Sequence, residues 1–395
     1  TLADNTGDYN IAFGQNALLG FTSASDTVAI GHSAGRNVTS GKYNIFFGRN
    51  AAGIGTVIYN DNIAIGHNAA ANMTEGACNI AIGKQALGSG TVTGAINIAI
   101  GCLAGNALTS GNNNIFMGAF TGAQSTDAYS NVFIGESAGG YVSGAANRNI
   151  ALGHCAGYRI TTGRFNIMLG NCTAKSGLLA GDDNFIVGRQ SGLAVTSGDD
   201  NILIGKYTGC SLTTTSNNVI LGNSAGTFTA GGYNILFGRC AGYGNASGTN
   251  NASSNIFIGE AAGKVIDTGC DNLGLGAGSG SSLTSGGCNT LVGHRSGCLI
   301  TTGGWNVVIG RLTQPPILTG SYQLAIGSGI GNNWIVGNAN FNVGIGTTNP
   351  DLPVGAGNTA KLSVGILSAY QLYGDGSNLT NLPSSGISTT VLIAD

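Results

Sequence analysis

The sequence predicts an all-β chain, a parallel β-solenoid of about 18–19 coils of about 17 residues each. Three observations carry this expectation. Glycine supplies 70 of the 395 residues, while Lys, Arg, Asp and Glu together make up only 8%; an average chain has about 7% Gly and about 25% charge. A pentapeptide of the form Asn-Φ-Φ-Φ-Gly, with Φ apolar, recurs throughout: residues 10–14, 44–48, 62–66, 114–118, 149–153, 201–205, 234–238 and 306–310. All five prolines lie beyond residue 314 (Pro315, Pro316, Pro350, Pro353, Pro383), and proline cannot donate to a strand ladder.

The period is regular. From Gly14 to Gly310 the closing glycines cover 296 residues in 17 steps, about 17.4 residues each. That is too short for a helix pair or a propeller blade and fits one solenoid coil. The step from Gly238 to Gly259 is about four residues longer, which predicts a small loop insertion at 245–254. Composition removes the other classes. The glycine content argues against a helical fold, and 42% apolar residues with a net charge of −2 argue against disorder. Glycine does not fall at every third position, as collagen requires. No apolar run is long enough to span a membrane as a helix, so membrane insertion is not expected. The small net charge provides no general attraction to nucleic acid.

Each coil reads as a strand, a glycine corner, a second short extended piece and a second corner. Asn opens 17 of the 19 copies, with Thr27 and Gln323 as the exceptions. A column of Asn at one position per coil predicts a ladder of side-chain amides along the axis. After the closing Gly come a polar residue and then a small one (Ala34, Ala51, Ala69, Ala104, Ala138, Ser191, Ala225). A Φ-Thr-Ser-Gly element follows at 38–41, 108–111, 195–198 and 283–286. Glycine at the corners supplies positive φ without a Cβ clash.

Period-2 alternation puts the first and third strand residues on one face, as in Ile63 and Ile65. The expectation is that this pair fills the coil interior and the middle residue faces out. The middle residue is apolar too: Phe46, Phe116, Phe133, Met168, Leu203, Leu236 and Phe257. An outer apolar column of that length calls for a cover, and we expect it to be the seam of a parallel homotrimer.

The Asn-Ile-Ala-Ile-Gly element followed by polar-x-Ala-Gly resembles the head repeats of YadA-type trimeric autotransporter adhesins, and more closely the repeat segments of phage tail fibres. The coil here is longer than the autotransporter repeat. Residues 342–350 (Asn-Val-Gly-Ile-Gly-Thr-Thr-Asn-Pro) with 361–364 (Lys-Leu-Ser-Val) resemble a stretch of phage fibre proteins that often precedes an endosialidase-type intramolecular chaperone. Residues 373–380 are similar to segments of marine phage fibres. The resemblance implies a virion tail fibre that attaches to a host cell surface, with itself, other tail proteins and a host surface glycan or lipopolysaccharide as partners. The first likeness covers about 1–328 and the second about 340–383. Composition places a repeat shaft at 1–328 and a β-rich shoulder or linker at 329–395. The chain opens inside a repeat, at residues 6–10, which leads us to expect a piece of a longer or processed protein.

No constellation for catalysis stands out, and no cofactor or metal is expected. There is no HExxH and no Walker loop. Gly-x-Ser-x-Gly occurs at 31–35, 135–139 and 222–226, but as a repeat corner and not as a single strand-to-helix elbow. Nine Cys without a CxxC pair argue against zinc and redox work. Cys155 and Cys172 share a coil position in neighbouring coils, within disulfide reach, although free thiols in small-residue slots are the simpler reading. A glycan-cleaving tailspike would need paired carboxylates, and the 17 Asp and Glu are not concentrated. Ice binding would need a flat Thr array, and the Thr column (Thr39, Thr109, Thr196, Thr284) is single and broken at Ser143 and Leu179.

One polar column stands out as a candidate contact surface. The residue after the closing Gly is His32, Arg49, His67, Lys84, His154, Arg189, Lys206, Arg239, His294 and Arg311 in ten coils, and it includes all four His of the chain. Such a ladder either keeps a fibre soluble or touches an anionic glycan or lipopolysaccharide. Two other classes stay open: a bacterial trimeric surface adhesin, which would add a leader and an anchor, and another extracellular β-solenoid filament.

Overall fold

The computed structural model describes residues 6–142, 146–340 and 342–345. Among them every regular element is a β-strand. Strands β1 (Ile11–Phe13) to β18 (Val307–Ile309) have three residues each, and β19 (Leu324–Gly327) has four. Each pairs in parallel with its counterpart one coil on, in matched register: Ile11 with Val28, Ile115 with Val132, Val307 with Leu324. The chain is therefore a parallel β-solenoid of about 18 turns, with one continuous sheet along one side. At about 4.8 Å per strand that sheet is about 85 Å long. Beyond Gly327 the direction reverses. Strand β20 (Asn333–Gly337) lies antiparallel on β19, and β21 (Val343–Ile345) antiparallel on β20.

The expected second extended piece is reduced. It survives as isolated bridges, Val38 with Val57 and Ile160 with Leu179; elsewhere the Φ-Thr-Ser-Gly element is turn and bend. Coil-to-coil bonds nonetheless continue through it. The amide of Thr109 donates to Thr126 O at 2.8 Å, and so does its hydroxyl at 2.9 Å. Thr196 repeats both bonds to Thr213 O. The Thr hydroxyls are thus engaged in stacking rather than presented in a free array.

Two columns hold the coils in register. The strand-closing glycines have φ between about +119° and +138°. A Cβ at Gly48 would also lie 2.6 Å from Gly66 O in the next coil, and one at Gly66 2.7 Å from Gly83 O. Positive φ and close approach of the coils both demand glycine here. The turns use positive φ more widely than glycine alone suggests. Ser33, Asn50, Gln85 and Cys155 after the closing Gly, and Tyr43, Asp61 and Trp305 before the Asn, all lie near +55° to +63°.

The second column is the Asn ladder, and it is buried. Asn114 Oδ1 accepts the backbone N–H of Asn131 at 3.0 Å and its side-chain Nδ2 at 3.2 Å. Asn114 Nδ2 in turn donates to Ala128 O at 2.7 Å, across the turn of the same coil. The backbone-to-Oδ1 bond repeats from Asn62 on Asn44 to Gln323 on Asn306. Each such bond within a buried amide network contributes about 1 kcal/mol net, and losing one side costs more.

The ladder settles which way the strand faces, and it corrects the expectation for the apolar columns. Asn points inward, so by alternation the middle strand residue also points inward and the first and third point out. Phe46, Phe116, Phe133, Met168, Leu203, Leu236 and Phe257 are all within 1% of full burial. They form the core of a single chain and not a seam between chains. Opposite them lie Val38, Leu108, Ile160, Val195 and Leu283 from the Φ-Thr element, also buried. Leu179 is buried as the Φ residue paired with Ile160, so in that coil the Thr column is broken at Ala180 and not at Leu179.

Core volume is shared within coils and between them: Ala99 stands with Gly105 in one coil, and a Cβ at Gly105 would meet Phe116 and Leu87 of the coils on either side. Where the middle residue is Phe, the position six residues on is often glycine: Phe116 with Gly122, Phe133 with Gly139, Phe257 with Gly263. A Cβ at Gly122 would lie 2.8 Å from the Phe116 ring, and Cβ atoms at Gly139 and Gly263 would strike Phe133 and Phe257. Where the middle residue is Ala, the same slot can hold Leu: Ala12 with Leu18, Ala81 with Leu87. Leu18 and Leu87 adopt φ of 48° and 49°, matching Gly139 at 54°. Phe116 and Phe133 stack at 5.5 Å along the axis. The insertion at 245–254 is a loop closed on Asn250, whose Nδ2 donates to Asn245 O at 2.6 Å.

This balance yields a size-swap prediction. Phe133→Ala alone should cost about 3–5 kcal/mol, and Gly139→Leu alone should destabilise by overpacking, about 1–3 kcal/mol. The double variant should recover part of the first loss. Urea midpoints of the three variants check this; a double variant no better than the sum of the two singles would break the pairing.

Candidate contact surface

The polar ladder lies where the strand turns its first corner. His32, Arg49, His67, Lys84, His154, Arg189, Lys206, Arg239, His294 and Arg311 are all exposed. They follow directly after the glycine column, so they run along one long edge of the sheet. Neighbouring coils link some of them. Arg189 Nη2 donates to Tyr207 Oη at 2.9 Å, and Arg189 and Lys206 sit 5.4 and 4.8 Å from the Tyr207 ring. Arg239 is paired with Glu260 one coil on. His154 lies 3.5 Å from both Cys155 Sγ and Asn171 Nδ2. The column is therefore a mixed, mainly basic edge, interrupted by Glu136 and Glu260, with several heads already partnered.

The outer face of the sheet is the larger feature, and the sequence reading assigned it to the interior. From β1 to β19 every first and third strand residue is aliphatic, Phe or Met, except Thr290. Phe13, Phe47 and Phe237 are 73%, 53% and 52% exposed. Ile11, Ile45, Ile202, Ile235 and Ile258 are exposed too.

A third column precedes the Asn and was not singled out from sequence, although it is visible there. Tyr9, Tyr43, Phe165, Tyr233, Trp305 and Tyr322 each stand immediately before the coil-opening residue and are exposed. Trp305 and Tyr322 stack at 5.9 Å with rings 10° apart. Arg148 lies 5.3 Å from the Phe165 ring. Other coils place Asp26, Asp61, Asp183, Asp200 and Asp271 at the same position, so aromatic rings and carboxylates flank the aliphatic face on one side, and the mainly basic ladder flanks it on the other. Near the end of the sheet Trp305, Tyr322, Leu324, Gly337 and Val343 line a cleft of about 300 Å³.

Among the described residues no group of three or more His, Cys, Asp or Glu is gathered as metal ligands would be. No helix there is long and apolar enough to cross a membrane. All nine Cys are unpaired, Cys155 and Cys172 included. Burial raises the Cys155 thiol above its ordinary value, and the neighbouring Lys175 ammonium opposes this. Burial pushes the Cys210 thiol up to about 11, and its Sγ donates to Gln190 O at 3.0 Å. Compared with protein-family models, curated proteins and solved structures, the chain matches none.

The Cys210 thiol makes a pH prediction. Its ordinary value is 9.0 and its folded value about 11, so the unfolded chain releases this proton first. Its contribution to stability is present below about pH 9 and lost as the pH rises through about 11. Over that window the native chain should lose stability more steeply than Cys210→Ala, measured as urea midpoints. Parallel slopes would remove the assignment.

Proposed function

We propose that the chain is a structural fibre module of a phage or virus particle, built as a parallel homotrimer, that attaches the particle to a host cell surface. The observation that carries this reading is a rod of about 18 turns with a mainly polar edge that carries His, Arg or Lys in ten coils. Every coil is bonded to the next through its backbone, and from Asn44 on through the Asn ladder as well, an architecture suited to carrying load along the axis. The likeness of residues 1–328 to phage fibre repeats, and of 342–350 to a fibre motif, supports the virion setting. Tail proteins at the ends and a host glycan or lipopolysaccharide along the edge are the proposed partners, and no catalytic role is proposed. The contact surface is the ladder from His32 to Arg311. Its positions repeat at about 4.8 Å per coil, with Arg189 and Lys206 on neighbouring coils and the other cations spaced by two coils or more, a periodic edge against which a repeating anionic polymer can lie.

A bacterial surface adhesin would use the same rod, and location separates the two. Antibody raised against the chain should label purified virions by immunogold microscopy; labelling confined to bacterial envelopes would replace the virion reading.

If the ladder makes the contact, attachment to cells should weaken as added salt shortens the Debye length from about 10 to about 3 Å. Arg189→Ser, Lys206→Ser and Arg239→Ser together should reduce attachment about tenfold, the size expected of three exposed charge contacts near 0.5 kcal/mol each. The thermal midpoint should stay in place. Unchanged binding by the triple variant would return the ladder to a solvated edge.

A further inference from the structure

A parallel sheet is almost always covered on both faces, because its strands are apolar on both. Here the inner face is covered by the coil's own Φ-Thr element, while the outer face is bare. That face is two side-chain columns wide and about 19 strands long. At about 4.8 Å per strand and about 10 Å of width it offers about 850 Å². The largest apolar patch on an ordinary monomer is about 300–600 Å², and a stable interface takes about 800 Å² from each partner.

We infer that the outer face, the first and third residues of β1 to β19, is where copies of this chain pack against one another, side by side and parallel. The inference rests on the fibre reading above for the number and direction of the copies, and on the face itself for where they meet. Three features select a second copy as the occupant. The side chains repeat at the strand spacing along the whole face, and a partner must carry the same repeat to interdigitate throughout; the same sheet does. No charge interrupts the face, and Thr290 is its sole hydroxyl. Its borders are polar, as an interface rim is, with Asp61, Asp183, Asp200 and Asp271 interspersed among Tyr43, Tyr233 and Trp305 on one side and the mainly basic ladder on the other. In a parallel assembly with rotational symmetry about the fibre axis, equivalent residues lie at the same height, so Phe13, Phe47 and Phe237 recur at the same three levels in every copy. The polar ladder stays at the rim, where it remains open to a surface.

The inference moves the seam from the middle strand column, which is core, to its two neighbours, and this separates the outcomes of a mutation test. Light scattering on the full chain at micromolar concentration should show a trimer. Ile63→Lys with Ile98→Lys and Ile150→Lys should weaken association by more than about 100-fold, the loss expected when charges enter an apolar interface. The β circular-dichroism spectrum should be retained. Should the Lys variant fail to fold, Ile→Thr at the same three positions keeps the branched strand shape and should still weaken association about tenfold. In a parallel experiment Ile98 is replaced by the photo-crosslinker p-benzoylphenylalanine, and irradiation should give bands at multiples of the chain mass. A native chain that is monomeric overturns the inference. So does an unaltered trimer carrying the substitutions, which would place the seam elsewhere and leave the fibre reading standing. Crosslinks confined to one chain, reaching residues 346–395, would assign the cover to the chain's own C-terminal residues and likewise overturn it.

Discussion

Stacking is the constraint on which the rest depends. A coil of about 17 residues with one three-residue strand cannot satisfy its own backbone, so its N–H and C=O groups must meet those of the coils on either side. Coils about 4.8 Å apart leave no room for a side chain at the tightest corner. That is why the closing glycine recurs in every coil: its Cβ would sit against the next glycine's carbonyl, and its φ near +130° suits no other residue. The Asn ladder answers the same constraint from inside. Each buried amide takes up a backbone N–H from one neighbouring coil and ties its own coil across the turn, so the interior is polar on one side without an unpaired amide.

Once Asn is fixed inside, the rest of the strand follows. Alternation sends the middle residue into the core and the other two out. The core is then a single file of side chains, one Φ from the strand against one from the opposite turn, and neighbouring slots must share a fixed volume. Phe116, Phe133 and Phe257 each take glycine six residues on, while Ala12 and Ala81 allow Leu there. Gly274 shows the same sharing between coils, since a Cβ there would lie 2.6 Å from the Phe257 ring of the preceding strand. The core thus tolerates wide variation at one position because another yields, and the coil's outline stays constant. A constant outline is what lets the outer columns run straight.

Polar groups outside the ladder are distributed by the same geometry. Threonine hydroxyls that would otherwise decorate a surface donate to carbonyls of the next coil. Charged residues sit on the corners, where an arginine meets the ring or carboxylate one coil away. The outer face is left to Ile, Val, Leu, Phe and Met. Aromatic residues and aspartates share one flank of that face and mainly basic residues the other, which divides the surface into an apolar strip with two unlike rims.

The sequence by itself determined the period, the coil count, the strand position, the place of the insertion and the Asn ladder, because each is written as a recurrence at fixed spacing. It also placed the basic edge, since His, Arg and Lys follow the same glycine. The sense of the strand was legible in principle. A buried Asn ladder and period-2 alternation together require the middle residue inside, but both strand faces are apolar, so hydrophobicity could not say which one the coil encloses. The second extended piece failed for a related reason: a Φ-Thr pair reads as strand, while the adjacent corners near φ of +55° leave only isolated bridges. Only the tertiary structure decided the rest. Which glycine makes room for which ring, and how much of the outer face the turns leave open, depend on how coils close and stack in three dimensions, and the hydrophobic pattern of a single coil does not encode contacts between coils.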